Sequence, residues 1–132
     1  MATFALILGV PDGEAVLRDA ARLAAPYERI GLGDGEAAAL GVVAGPYAAN
    51  EVWSGDALEP LRAALAERVR DFVVAVADGV AADMLRPDVE PWMEQKVEQG
   101  KDASGRLQHA SRLLELVRLA QGERGTIVYF GD

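Results

Sequence analysis

Two short apolar runs lie near the two ends of the chain, and the stretch between them is rich in alanine and predicted to be largely helical. The first run covers residues 4–10 and the second covers residues 126–130. Both are rich in aliphatic or aromatic side chains and end at glycine or proline, a pattern typical of buried strands. Because the backbone groups of a buried strand need hydrogen-bond partners, we expect the two runs to pair in one sheet.

The first half of the chain predicts one helix and further strands. Apolar residues recur at three- and four-residue steps over 12–26, with an aspartate as cap and a proline as stop, which predicts a helix. Residues 27–32 are typical of a second strand, and residues 40–44 are a candidate third. The loop over 46–55 is long for a small domain, and a short edge strand is predicted at 51–53.

A single long helix is predicted in the middle of the chain. Asp56 begins a pattern that resembles a capping box, and apolar residues then repeat with a helical period from Leu58 to Val80. In an alternative interpretation Phe72–Val76 forms a buried parallel strand, because valine favours β structure. No glycine or proline separates this segment from the preceding helix, so we favour one helix that ends at Pro87.

Two more helices are predicted before the last strand. A short one begins at Asp88 and ends at Gly100, and a longer one begins at Asp102 or Ser104 and ends at Gly122. The elements together predict an α+β fold, with three or four strands in one sheet that includes both terminal strands and helices packed on one face. A ferredoxin-like core with extra helices is one topology that fits.

Length and composition limit the alternatives. An open α/β sheet is the alternative fold, and it follows if residues 72–76 form a strand.

A chain of 132 residues is expected to form a single domain over residues 1–132. The absence of cysteine excludes disulfides, thiolate metal ligands and a thiol nucleophile. No apolar stretch approaches the ~20 residues of a membrane span, and no signal-peptide pattern is present, so we expect a soluble, cytoplasmic protein.

The charge of the chain disfavours some partners. The chain has twenty-one acidic and thirteen basic residues, which gives a net charge of −8. Nucleic acids and anionic membranes are therefore not expected as partners, because lysine and arginine supply most of the affinity for phosphate. A protein partner with a basic face suits an acidic chain better.

The long loop holds the first candidate site. Tyr47 and Trp53 lie in it together with Glu51 and Asp56. Loops of this length are often functional, and aromatic residues are enriched at the centres of protein interfaces. The leading hypothesis is therefore a non-enzymatic interaction module, similar in general character to inhibitor, immunity or adaptor proteins, that binds a basic partner protein.

The glycine-dense stretch over 31–45 holds the second candidate site. Residues 33–38 match the glycine spacing of a dinucleotide-binding loop, but Asp34 and Glu36 would repel a phosphate, and a hairpin turn at Asp34 explains the glycines equally well. Together with His109, the only histidine, these acids could line the pocket of a small-molecule-binding or catalytic domain. No cofactor or metal is assigned, since the acidic residues lack a calcium-loop pattern. A homo-oligomer joined through exposed helix faces is a third hypothesis.

Overall fold

The computed structural model describes residues 2–9, 27–43, 50–85 and 91–131, which contain one antiparallel sheet of four strands. The N-terminal and C-terminal strands are hydrogen-bonded neighbours at its centre, with Phe4 opposite Tyr129. The predicted pairing of the two terminal runs is therefore confirmed. The strands are β1 (Ala2–Ile7), β2 (Tyr27–Leu32), β3 (Glu51–Ser54) and β4 (Thr126–Phe130), in the spatial order β2-β1-β4-β3.

Helices pack against one face of this sheet. They are α1 (Asp34–Ala39), α2 (Leu58–Met84) and α3 (Pro91–Gly122), and a 3₁₀ turn over Gly55–Ala57 precedes α2. The fold is α+β, as predicted. The open α/β alternative is wrong, because residues 72–76 are helical and every strand pair is antiparallel. The sheet is also not ferredoxin-like, since β1 and β2 are direct neighbours, whereas a split βαβ unit has another strand between them.

Two local predictions in the glycine-dense stretch are wrong. Asp34 and Gly35 form the first turn of α1 rather than a hairpin turn, and the carbonyl of Gly33 accepts hydrogen bonds from the amides of Glu36 and Ala37 at 3.0 and 3.1 Å. The candidate strand at 40–44 is absent over its described residues 40–43, which form turns and bends. The run of alanines in α1 explains the helix, since alanine has the highest helix propensity.

The predicted break at Gly100 is also wrong, because α3 continues through this residue as one helix. Gly100 lies in the helix interior, where α3 crosses α2 at Gly79. A Cβ atom built on Gly100 would lie 2.9 Å from the Cα atom of Gly79. The glycine therefore permits a close approach of two backbones and does not end a helix.

Some predicted features lie outside the described residues. These are the helix over 12–26, the cap at Asp88, and Tyr47 with residues 46–49 of its loop. The first strand is shorter than predicted at its end, since residues 8 and 9 form a turn. Within the loop, the short edge strand is present as β3.

The main hydrophobic core lies between one face of the sheet and the inner halves of α2 and α3. Among the described residues, it contains no residue of α2 beyond Phe72 and none of α3 before Ala110. At 1.5 Å per residue, α2 is about 40 Å long, whereas strands of four to six residues span about 20 Å or less. The outer halves of the two helices therefore extend past the core and pack on each other. We call residues 73–85 and 91–106 the helical arm.

Candidate interaction surfaces

The helical arm carries a second apolar face on α2, pointing away from the face that packs on α3. At 100° per residue, seven residues of α2 and its C-terminal cap lie within an arc of about 140°. All seven are exposed and none is polar, and the five large ones expose between 48% and 79% of their surface. We call them the outer face: Val73, Val74, Ala77, Val80, Ala81, Met84 and Leu85.

This face follows from the composition of the segment. Residues 72–85 contain only two charged residues, Asp78 and Asp83. The carboxylate of Asp78 lies 3.8 Å from the Nζ atom of Lys96 on α3. A helix that is apolar almost all round is normally buried on every side, yet α3 covers only the side with Gly79 and Ala82. The outer face is therefore a surface that the described chain leaves in water.

Grooves between α2 and α3 flank the outer face near the crossing of Gly79 and Gly100. One has a volume of about 260 Å³, and Val80, Met84 and Val97 line part of it. Another has a volume of about 240 Å³ and is lined in part by Leu85 and Trp92. Trp92 exposes 54% of its surface. These concave apolar borders enlarge the surface that a bound partner could cover.

The predicted aromatic patch is only partly exposed. Trp53 lies on β3, and its ring stacks on Phe4 with centroids 6.3 Å apart and an interplanar angle of 24°. Its side chain is half-buried and packs against the main core, so part of its role is structural. Glu51 lies on the same strand and is half-buried, while Asp56 is exposed in the 3₁₀ turn. Glu51 and Trp53 thus lie on the edge strand of the described sheet, and Asp56 lies in the turn that follows it.

The residues of the second predicted site lie where α1 meets α3. The Oε2 atom of Glu36 lies 3.5 Å from the Nε atom of Arg106, and His109 lies one turn further along α3. In the described structure, the Nε atom of Arg106 and the Nδ1 atom of His109 are buried without a hydrogen-bond partner. Asp34 is the first residue of α1. The alternative site therefore contains polar atoms that a ligand could satisfy.

A polar network joins the start of α2 to the end of α3. The carboxylate of Glu59 accepts hydrogen bonds from Arg62 at 2.6–3.0 Å and from the Nε2 atom of Gln121 at 2.8 Å. These bonds lower the pKa of Glu59 from 4.5 to about 2, with the Arg62 hydrogen bond as the largest cause. No side chain caps α2, so the capping-box prediction at Asp56 is wrong. Glu59 is bound by these two partners instead.

Comparisons of the chain with protein families, with curated proteins and with solved structures find no match. In the described ranges, no helix combines the length and hydropathy needed to span a membrane. Over the same residues, no three histidine or carboxylate side chains are grouped as metal ligands would be. Evidence on function therefore comes from the surfaces themselves.

The outer face is not predicted from the sequence. The helical period of residues 58–80 placed Val80 on the side of α2 that faces the core, which is wrong, since Val80 is exposed on the outer face. The signal that could have found the face is the near-absence of charge over residues 72–85. A solvent-facing helix side normally carries charged residues at every turn.

Proposed function

We propose that this protein is a protein–protein interaction module and that the outer face of the helical arm is its main contact surface. The single observation that carries the proposal is the coincidence of exposure and apolar character at seven neighbouring positions of one helix. Isolated exposed apolar residues are ordinary, but contiguous apolar patches mark interaction sites.

The geometry of the arm also suits binding. The backbones of α2 and α3 are in contact at Gly79 and Gly100, so the two helices pack tightly behind the outer face. The exposed ring of Trp92 borders the same surface, and tryptophan is enriched in interface hot spots. A partner helix placed on the outer face would meet apolar atoms along about 20 Å.

A photo-crosslinking residue placed at Val80 tests the proposal in the native host. The matched control carries the same residue at Leu119, which is exposed on α3 outside the helical arm. Circular dichroism first establishes that both variants are folded. We expect a crosslinked adduct from position 80 and none from position 119. Equal labelling at both positions, or none at position 80, would show that the outer face is not a contact surface.

The basic partner predicted from the sequence remains a proposal for a second surface. The outer face carries no charge, so selection for a basic partner would come from Glu51 and Asp56 beside Trp53. An edge strand can also pair with an extended segment of another protein. Replacing both acids by lysine is expected to weaken salt-sensitive binding of a basic partner and to leave crosslinking at Val80 unchanged. Retained salt-sensitive affinity would rule out this surface.

Small-molecule binding is the second candidate function, favoured by the unsatisfied buried atoms of Arg106 and His109. A small polar ligand between α1 and α3 could hydrogen-bond to both atoms and donate a hydrogen bond to the Glu36 carboxylate. Thermal-shift measurements with nucleosides and other uncharged polar metabolites test this candidate, because a ligand that binds only the native state raises the melting temperature. Loss of the shift in Arg106→Met would place the ligand there, and the absence of any shift would remove the candidate.

A further inference from the structure

We infer that the partner bound by the outer face is a second copy of this chain, with the two α2 helices packed antiparallel about a two-fold axis near Ala77. The inference rests on the proposed function and specifies its partner. The two helical arms would then form a four-helix arrangement, joined along the side of α2 that faces away from α3. Three properties of the outer face carry this inference: its spacing, its charge and its area.

The spacing of the outer face is that of a helix–helix seam. Val73, Ala77, Val80 and Met84 follow one another at steps of four, three and four residues, which is the heptad spacing of packed helices. A two-fold axis at Ala77 places Val73 of one copy opposite Ala81 of the other. The same axis places Val74 opposite Val80, and the alanine at the centre lets the two helices approach closely.

The charges around the outer face favour a second copy in the antiparallel orientation. The face itself is uncharged, so neither a basic nor an acidic partner gains from it. Arg70 is exposed on the same side of α2, three residues before Val73. Antiparallel pairing about Ala77 places Arg70 of each copy opposite Met84 of the other. Parallel pairing would bring the two Arg70 side chains together, and contacts between like charges disfavour an interface.

The area of the outer face matches what two copies can bury. A side chain of this size removes roughly 60–120 Å² of apolar surface from water when it is fully covered. The five large residues, the two alanines and Trp92 together offer on the order of 500 Å² per copy. Two copies therefore bury about 1,000 Å², which is the lower limit for a specific interface. An isologous pair reaches this area with one patch used twice.

Sedimentation equilibrium of the full chain tests the inference. We expect a species of twice the 14.0 kDa chain mass at micromolar concentrations. Val80→Glu should raise the dissociation constant roughly 100-fold, because the symmetry puts two charges into one apolar interface. The matched control is Leu119→Glu, which adds the same charge at an exposed apolar position of α3 outside the arm. It should leave the dissociation constant unchanged. A monomeric wild type, or equal effects of the two substitutions, would overturn the inference.

Single cysteines test the position of the axis, since the chain has none of its own. Ala77→Cys should form a disulfide-linked dimer under mild oxidation, because the axis places the two residues next to each other. Ala63→Cys is the matched control, since Ala63 is also exposed on α2. In the antiparallel pair its two copies are about 42 Å apart, far beyond the ~7 Å limit between the Cα atoms of a disulfide. Equal linkage of both variants would contradict this axis.

The crosslinking experiment separates this inference from the proposed function. An adduct from position 80 with the mass of a second copy supports both. An adduct with a different protein, together with a monomeric wild type, overturns the second copy as partner and leaves the interaction module in place. The absence of any specific adduct, together with a monomeric wild type, overturns both.

Discussion

The crossing of α2 and α3 makes a sharp prediction at Gly79. An added Cβ atom at this residue would lie 2.8 Å from the Cα atom of Gly100 and 3.0 Å from the carbonyl oxygen of Lys96. Both atoms belong to the backbone of α3, so they cannot move aside as the end of a flexible side chain would. Gly79→Ala therefore forces the two helices of the arm apart.

Two opposing effects set the magnitude for Gly79→Ala. Alanine in a helix interior is favoured over glycine by about 0.8–1.0 kcal/mol, which stabilises the variant. Overpacking of a close contact costs about 1–3 kcal/mol, and a clash with backbone atoms lies toward the upper end. We expect a net loss of about 1–2 kcal/mol in the free energy of unfolding.

Urea denaturation followed by circular dichroism measures this loss, with the midpoint and the slope fitted for each variant. Gly105→Ala is the matched control, because Gly105 lies in α3 and a Cβ atom there would meet no atom within 4 Å. This substitution should stabilise the protein by about 0.5–1 kcal/mol. The double variant of Gly79 and Gly100 should lose less than the sum of the two single variants, since one separation of the helices relieves both clashes.

The sign of the change decides the matter. If Gly79→Ala stabilised the protein as much as Gly105→Ala, the backbones of α2 and α3 would not be in contact at this point. The close contact of the two helices behind the outer face would then be absent as well. An equal loss of unfolding free energy in the two variants would contradict the stabilisation expected for Gly105→Ala. It would also remove the difference that we attribute to the backbone contact at Gly79.

Three further predictions concern the sheet and the helix ends. Trp53→Ala should lower the free energy of unfolding by about 2 kcal/mol, because it removes the ring that stacks on Phe4 from a half-buried site; chemical denaturation measures the loss. The lowered pKa of Glu59 means that its hydrogen bonds stabilise the folded state above pH 4.5, and that this stabilisation is lost as the pH falls from 4.5 to about 2. The melting temperatures of wild type and Glu59→Gln should therefore converge over that range. Arg124 has a φ angle of +53°, and Arg124→Gly should stabilise the protein by about 1 kcal/mol by removing the cost of a left-handed conformation.

Each of these predictions has a control. Trp53→Phe keeps a ring against Phe4 and should lose less than half as much stability as Trp53→Ala. A constant difference between wild type and Glu59→Gln from pH 5 to pH 2 would contradict the role of the Glu59 carboxylate. Arg118→Gly, at an exposed position inside α3, should destabilise the protein by about 1 kcal/mol. A loss of similar size in Arg124→Gly would show that the conformation of this residue is not strained.

The sheet and the long middle helix could be predicted from local patterns. Residues 126–130 are dense in apolar and β-favouring side chains, residues 27–32 contain tyrosine, isoleucine and leucine between a proline and a glycine-dense stretch, and the observed strands β2 and β4 match these ranges. The uninterrupted helical period from Leu58 also decided between helix and strand at Phe72–Val76, because a period held over several turns outweighs the β propensity of three valines. Such features depend on residues that are close together in the sequence, so they can be predicted from one sequence.

Other features depended on contacts between residues far apart in the chain. Gly100 resembles a helix stop, and only the approach of Gly79 shows that it lies inside a helix. The part of Trp53 that faces the core follows from its position next to Phe4, which is about fifty residues away. The pairing of Glu36 with Arg106 likewise depends on how α1 is placed on α3.

The sequence by itself determined the α+β class, the two central strands and the apolar character of residues 72–85. The tertiary structure alone decided which side of that segment is covered and which is left in water. The physical reason is that burial belongs to the assembled chain: the core and α3 cover other sides of α2, and no described residue covers this one. The same side of α2 is exposed in its inner half, where it carries Glu59, Glu67 and Arg70, so the outer face differs from it only in lacking charge.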